Sequence, residues 1–98
     1  MTEVVLLPKA RRDFRRAVRS VEQGRPGSGA RLMDEILGGL ERLAVHPHLG
    51  PDAGGGARKL VLRHFPYTLY YQVSSSRLMV LAFLHQRRRP KPFPDPLE

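Results

Sequence analysis

Along the chain the spacing of apolar residues changes period three times. Glu3 to Leu7 is a short apolar run closed by Pro8, enough for one strand and too short for a helix. From Lys9 the period lengthens, with Ala10, Phe14, Ala17, Val18 and Val21 on one side and Arg11, Arg12, Arg15, Arg16 and Arg19 on the others, which predicts an amphipathic, strongly cationic helix. Gly24, Pro26, Gly27 and Gly29 break it, and Ser28 is the expected N-cap of a second helix. That helix carries Ala30, Met33, Ile36, Leu37, Leu40, Leu43 and Ala44 at helical spacing and stops before Pro47. Gly38 and Gly39 each cost about 1 kcal/mol of helix propensity, so close packing against the first helix is expected there. The segment from Pro47 to Gly56 has no period and is rich in Pro and Gly, and it predicts a crossover loop.

Three strands are predicted after it. Arg58 to His64 alternates, Tyr67 to Val73 is aromatic and β-branched, and Arg77 to His85 is apolar nearly throughout, with turns at Phe65-Pro66 and Ser74 to Ser76. A strand that is apolar on both sides belongs inside a sheet. The order β-α-α-β-β-β therefore predicts an α+β domain, a helical hairpin packed on one face of a small, mainly antiparallel sheet. With 98 residues there is length for one core. The domain is placed at 1–89, followed by a Pro-rich, extended tail at 90–98 that contains Pro90, Pro92, Pro94 and Pro96.

Composition narrows the function classes. At 41% hydrophobic and 27% charged residues the chain is ordinary for a globular protein. No stretch approaches the ~20 apolar residues of a membrane span, and the first residues lack a signal-peptide pattern, so a cytoplasmic location is expected. Without cysteine there is no disulfide framework or thiolate site, and the four histidines show no metal-ligand spacing, so neither metal nor cofactor is implied. The net charge of +8, carried mostly by arginine, points to a polyanionic partner, either nucleic acid or an acidic protein segment.

The text from Gly50 to Pro90 carries a more specific pattern. Pro47 and Gly50 follow the second helix. Arg58 then opens a strand, Phe65-Pro66-Tyr67 makes a turn, Tyr71-Gln72-Val73 ends the next strand, and His85 precedes Arg87-Arg88. Near the N-terminus, Pro8, Ala10 and Asp13 form a Pro-x-Ala-x-x-Asp start. In order and spacing these residues resemble the ParE-like branch of the RelE/ParE toxin superfamily, over about nine tenths of the chain. The resemblance implies the toxin of a type II toxin–antitoxin, or plasmid stabilisation, system, neutralised by a cognate antitoxin as a homodimer or a hetero-oligomer with it. ParE-like members act on DNA gyrase. The alternative branch, RelE-like, cleaves messenger RNA on the ribosome, and a third reading is a basic nucleic-acid-binding module without toxicity.

For RNA cleavage a proton-transfer group and a cationic clamp are needed. His85 and Arg58 are the catalytic candidates, and Arg58, Arg63, His85, Arg87, Arg88 and Arg89 are the candidates for binding target or antitoxin. RelE-like nucleases carry further lysines in the middle strands or a late tyrosine, whereas here Lys59 stands alone between Lys9 and Lys91 and no Tyr follows His85. Strand alternation places Arg87 and Arg89 on the side of His85 and Arg88 opposite. The glycines before Arg58 lack Walker spacing. Tyr67 and Tyr71 should share one face with Tyr70 on the other, as packing residues and not as a base-stacking platform. His46, His48 and His64 receive no role.

Overall fold

The computed structural model describes residues 2–88, so Arg89 and the tail expected at 90–98 lie outside the described residues. The elements follow in the order β1 (Glu3–Leu6), α1 (Pro8–Gly24), α2 (Ser28–Val45), β2 (Asp52–Gly54), β3 (Ala57–Val61), β4 (Tyr67–Ser74) and β5 (Arg77–His85). The sheet runs β1-β5-β4-β3-β2. The pair β1–β5 is parallel and the other three are antiparallel. As its two-sided apolar pattern predicts, β5 lies inside the sheet, and the α+β architecture is as expected. Among the described residues no helix is long and apolar enough to cross a membrane, and no group of three or more His, Asp or Glu is placed to hold a metal.

A bulge in β5 governs which side chains meet the helices. Tyr70 pairs with Ala82, but Tyr71 pairs with Val80, so Leu81 is an extra residue. The insertion brings Leu78 and Val80 onto the same face as Phe83 and His85, although the two pairs differ in parity. On that face Leu69, Tyr71, Leu78, Val80 and Phe83 form one core with Ala10, Phe14 and Ala17 of α1 and Leu32, Ile36 and Leu43 of α2. The Phe14 and Phe83 rings pack at 4.7 Å, which seats α1 over the C-terminal half of β5. All three tyrosines of β4 are buried, with Tyr67 and Tyr71 on the helix face through their pairing with His85 and Val80.

Several local expectations are corrected by tertiary contacts. The N-cap of α2 is Gly27, left-handed at φ 93° and without a side chain to cap the helix. Ser28 is instead the first helical residue. The free N–H groups are taken by Glu22 of α1, whose carboxylate accepts from Gly27 at 3.0 and 3.1 Å and from Gly29 at 3.0 Å. An anion at a helix N-terminus is favoured by the helix dipole as well. The close approach expected at Gly38 and Gly39 falls on Gly39 alone and is made to the sheet, where a Cβ would stand 2.9 Å from Leu60 Cδ2 of β3. The crossover loop contains the short strand β2, turned back through Gly54, Gly55 and Gly56, all at positive φ. β3 ends at Val61 and not at His64. Glu35 of α2 accepts the N–H groups of Arg63 (2.6 Å) and His64 (3.3 Å), which draws the chain out of the ladder.

Candidate functional site

The C-terminal end of β5 is where the candidate chemistry collects, and the reason begins with an unfinished edge. β1 stops at Leu6, opposite Val80, so beyond Val80 no strand among the described residues borders that side of β5. The N–H of Phe83 would be left without a partner there. It donates to Asp13 Oδ2 of α1 at 3.0 Å in a buried bond, and the same oxygen accepts from Lys9 Nζ at 2.8 Å. Asp13 is 9% exposed and stands on the apolar stripe of α1 between Ala10, Phe14 and Ala17. A buried carboxylate is tolerated when paired and hydrogen-bonded, and here it joins α1 to the strand that carries His85.

His85 closes β5 opposite Tyr67. Its ring meets the Tyr67 ring edge-on at 5.3 Å, and Tyr67 in turn stacks on Phe83 at 5.0 Å with 6° between planes. The chain then turns. Gln86 N donates to Pro66 O at 2.8 Å and Arg88 N to His85 O at 2.8 Å. The Arg87 N–H donates to His85 Nδ1 at 3.1 Å. An accepting Nδ1 puts the proton of the neutral ring on Nε2, so the ring offers a hydrogen-bond donor there. Because the strand ends at His85, alternation does not extend into the arginines. Arg88, and not Arg87, lines the cleft beside His85. Arg87 and Arg88 are both exposed.

That cleft, about 280 Å³, lies between α1 and the end of the sheet. Asp13, Arg16 and Ser20 of α1 line it together with Tyr67, His85 and Arg88. Among the described residues Arg77 is the one arginine with a carboxylate partner, Glu3 at 3.3 Å, and neither Arg16 nor Arg88 has one there.

Arg58 is elsewhere. It pairs with Tyr71 in the middle of β4, about 13 Å along the strand from Tyr67 at the usual rise per residue. Its Nη1 donates to Gly50 O at 2.7 Å and His48 O at 3.3 Å. Tyr71, fully buried, accepts the Gly50 N–H at 2.8 Å. These bonds fasten the crossover loop to the sheet. A Cβ on Gly50 would collide with Lys59 O and stand 2.7 Å from Tyr71 Oη, so only glycine fits. Arg63 sits at the corner held by Glu35, exposed, and is not among the residues lining the cleft. The structure thus brings His85 and Arg88 together, leaves Arg58 and Arg63 apart from them, and adds Asp13, Arg16 and Ser20, which the sequence reading did not single out as site residues. The available signal was a carboxylate within an apolar helix stripe.

A second feature is lined by α1, α2 and the end of β1. Leu6, Phe14, Met33, Ile36, Leu37 and Leu40 line an apolar groove of about 220 Å³ whose rim carries Arg11 and Arg15. Met33 is 40% and Leu37 50% exposed, large values for apolar side chains in one patch.

Comparison with known proteins places this geometry in a family. Residues 4–90 match the profile of the ParE toxin of the type II toxin–antitoxin system parDE. The chain is 31% identical over 91 residues to Toxin RelE3 of Caulobacter vibrioides, an alignment covering 91% of this chain and 99% of the relative. A solved structure described as the chromosomal ParDE TA system from P. aeruginosa superposes with a TM-score of 0.74, covering 87% of this chain and 96% of that one at 18% identity. At that identity the likeness is one of fold.

Proposed function

From the premise that the chain belongs to the ParE toxins of type II toxin–antitoxin systems, we propose that an antitoxin segment occupies the groove across α1 and α2, and that the freed toxin acts on DNA gyrase by binding. The groove supports the first half. Its apolar floor and arginine rim match an amphipathic acidic segment, because such a segment buries Met33 and Leu37 while its carboxylates meet Arg11 and Arg15.

The observation that carries the second half is the separation of the cleavage candidates. A nuclease clamp needs His85 and Arg58 around one phosphate, but Arg58 is bound to the His48 and Gly50 carbonyls and pairs with Tyr71, four residues along β4 from the Tyr67 that faces His85. His85 Nδ1 is occupied as an acceptor. What remains at the end of β5 is a cationic, donor-rich surface suited to holding an anionic partner. A cytoplasmic site of action accords with this reading.

Induced expression with and without a cognate antitoxin tests both halves. The chain alone should arrest growth, and co-expression should relieve the arrest. Leu37→Glu places a charge at an exposed position, so toxicity should persist while relief is lost. Relief that survives Leu37→Glu would remove the groove from the antitoxin interface. The target is read by supercoiling of plasmid DNA by gyrase in the presence of purified toxin, against primer extension on ribosome-bound message. Inhibited supercoiling with intact message is the expected result, and cleaved message would establish the nuclease reading instead.

A further inference from the structure

The cleft between α1 and the end of β5 has the chemistry of an anion site, and its donors come from three separate elements. Arg16 and Ser20 are one helical turn apart on α1, Tyr67 is on β4, and His85 and Arg88 are at the end of β5. Among the described residues neither guanidinium is paired with a carboxylate. Among the described residues Asp13 is the one acid lining the cleft; it is paired with Lys9 at 2.8 Å and holds the Phe83 N–H with the same oxygen, which weakens its repulsion of an anion. His85 adds an Nε2–H donor, since Nδ1 accepts from Arg87.

A planar carboxylate has two oxygens and is satisfied by one guanidinium fork. Two forks from separate elements, together with two hydroxyls and an imidazole N–H, suit a tetrahedral anion that presents oxygens in several directions. At about 280 Å³ the space lies at the lower end of ligand pockets, room enough for a phosphate with a small appendage. We propose that this cleft is a phosphate-binding site, with Arg16 and Arg88 clamping the anion and Ser20, Tyr67 and His85 donating to its remaining oxygens. The inference concerns a small ligand on the purified protein and stands independently of which cellular target the toxin has.

Calorimetric titration of the purified chain at physiological ionic strength, where diffuse attraction to the basic surface is screened, tests it with two probes, inorganic phosphate and adenosine 5′-monophosphate. Saturable binding at one site per chain is expected for at least one probe. Equal affinities would identify the phosphate group alone as the ligand, and tighter binding of the monophosphate would identify a nucleotide. Arg16→Ala and Arg88→Ala should each weaken binding by about tenfold or more, the loss expected for a charge-assisted hydrogen bond. Ser20→Ala should weaken it less. Arg12→Ala removes an exposed α1 cation outside the cleft and should leave affinity unchanged. Circular dichroism of each variant confirms the fold, with Arg16→Lys as the charge-retaining second variant, expected to bind between wild type and Arg16→Ala. Absence of saturable binding by either probe, or a loss from Arg12→Ala as large as that from Arg16→Ala, would overturn the proposal.

Discussion

Replacing Asp13 by alanine should be among the most damaging single substitutions in this chain, and the size of the effect follows from what its carboxylate holds. The side chain is 9% exposed and accepts two hydrogen bonds through Oδ2. The bond from Phe83 N is buried, and beyond Leu6 no strand among the described residues could take that N–H over. Truncation leaves a buried donor unsatisfied, at about 1–3 kcal/mol. The Lys9 partner is 54% exposed, so that ion pair adds only about 0–1 kcal/mol. The sum is about 1–4 kcal/mol. For a domain of this size each kcal/mol moves the melting temperature by about 4–8 °C, so a drop of roughly 10–20 °C is expected at mid-range. Asp13→Asn separates the contributions, because its amide oxygen still accepts from Phe83 while the charge on Lys9 loses its partner. It should fall by no more than about 1 kcal/mol. Thermal melting by circular dichroism on the three proteins decides the matter. Equal losses in the two variants, or an alanine variant within about 0.5 kcal/mol of wild type, the range of an ordinary surface position, would refute the assignment of Asp13 as the anchor of the β5 edge.

Gly50→Ala should destabilise the fold by about 1–3 kcal/mol, the usual cost of forcing atoms into a packed site, since the new Cβ meets Lys59 O and Tyr71 Oη; an unchanged melt would show that the loop has room to move. His85→Ala should keep the fold and reduce growth arrest only in part, because losing one donor costs a contact, whereas loss of a general acid or base costs about 10²-fold or more. Complete detoxification with a native melt would favour the nuclease alternative. Arg87→Ala combined with Arg88→Ala should abolish growth arrest at a stability cost within about 0.5 kcal/mol, both side chains being exposed. Toxicity that persists with a native melt would exclude this pair from the mechanism, and a collapsed melt would make the pair structural.

What could be read from the chain beforehand divides along the range of the interactions involved. The two helices and the strands β1, β3, β4 and β5 follow from apolar spacing over 4 to 18 residues, a local signal that the folded state preserves. β2 carries three residues, two of them exposed, and leaves no period to detect. The end of β3 and the cap of α2 differ from what local spacing predicts because both are set by carboxylates from other elements, Glu35 reaching residues 28 and 29 positions away and Glu22 reaching forward across the helix break. Arg58 was legible as a strand-opening arginine, yet its partners are backbone carbonyls of a loop, and backbone acceptors leave no trace in residue identity.

The site itself turns on a feature that an apolar run conceals. In unbroken alternation from Leu78, residues 78, 80, 82 and 84 share one face and His85 lies on the other. Leu78 and Val80 belong to the core under the helices, so a regular strand would send His85 to the opposite side of the sheet, away from Arg16 and Ser20. The extra residue at Leu81 reverses the parity and returns Phe83 to Phe14 and His85 to the cleft. Because Val80, Leu81, Ala82 and Phe83 are all apolar and all buried, the sequence is compatible with either phase. The choice is made by packing. Phe83 fills the space against Phe14 and Tyr67, and its N–H reaches Asp13 only in the bulged register, so the residue that anchors the edge of β5 also fixes the face on which His85 appears.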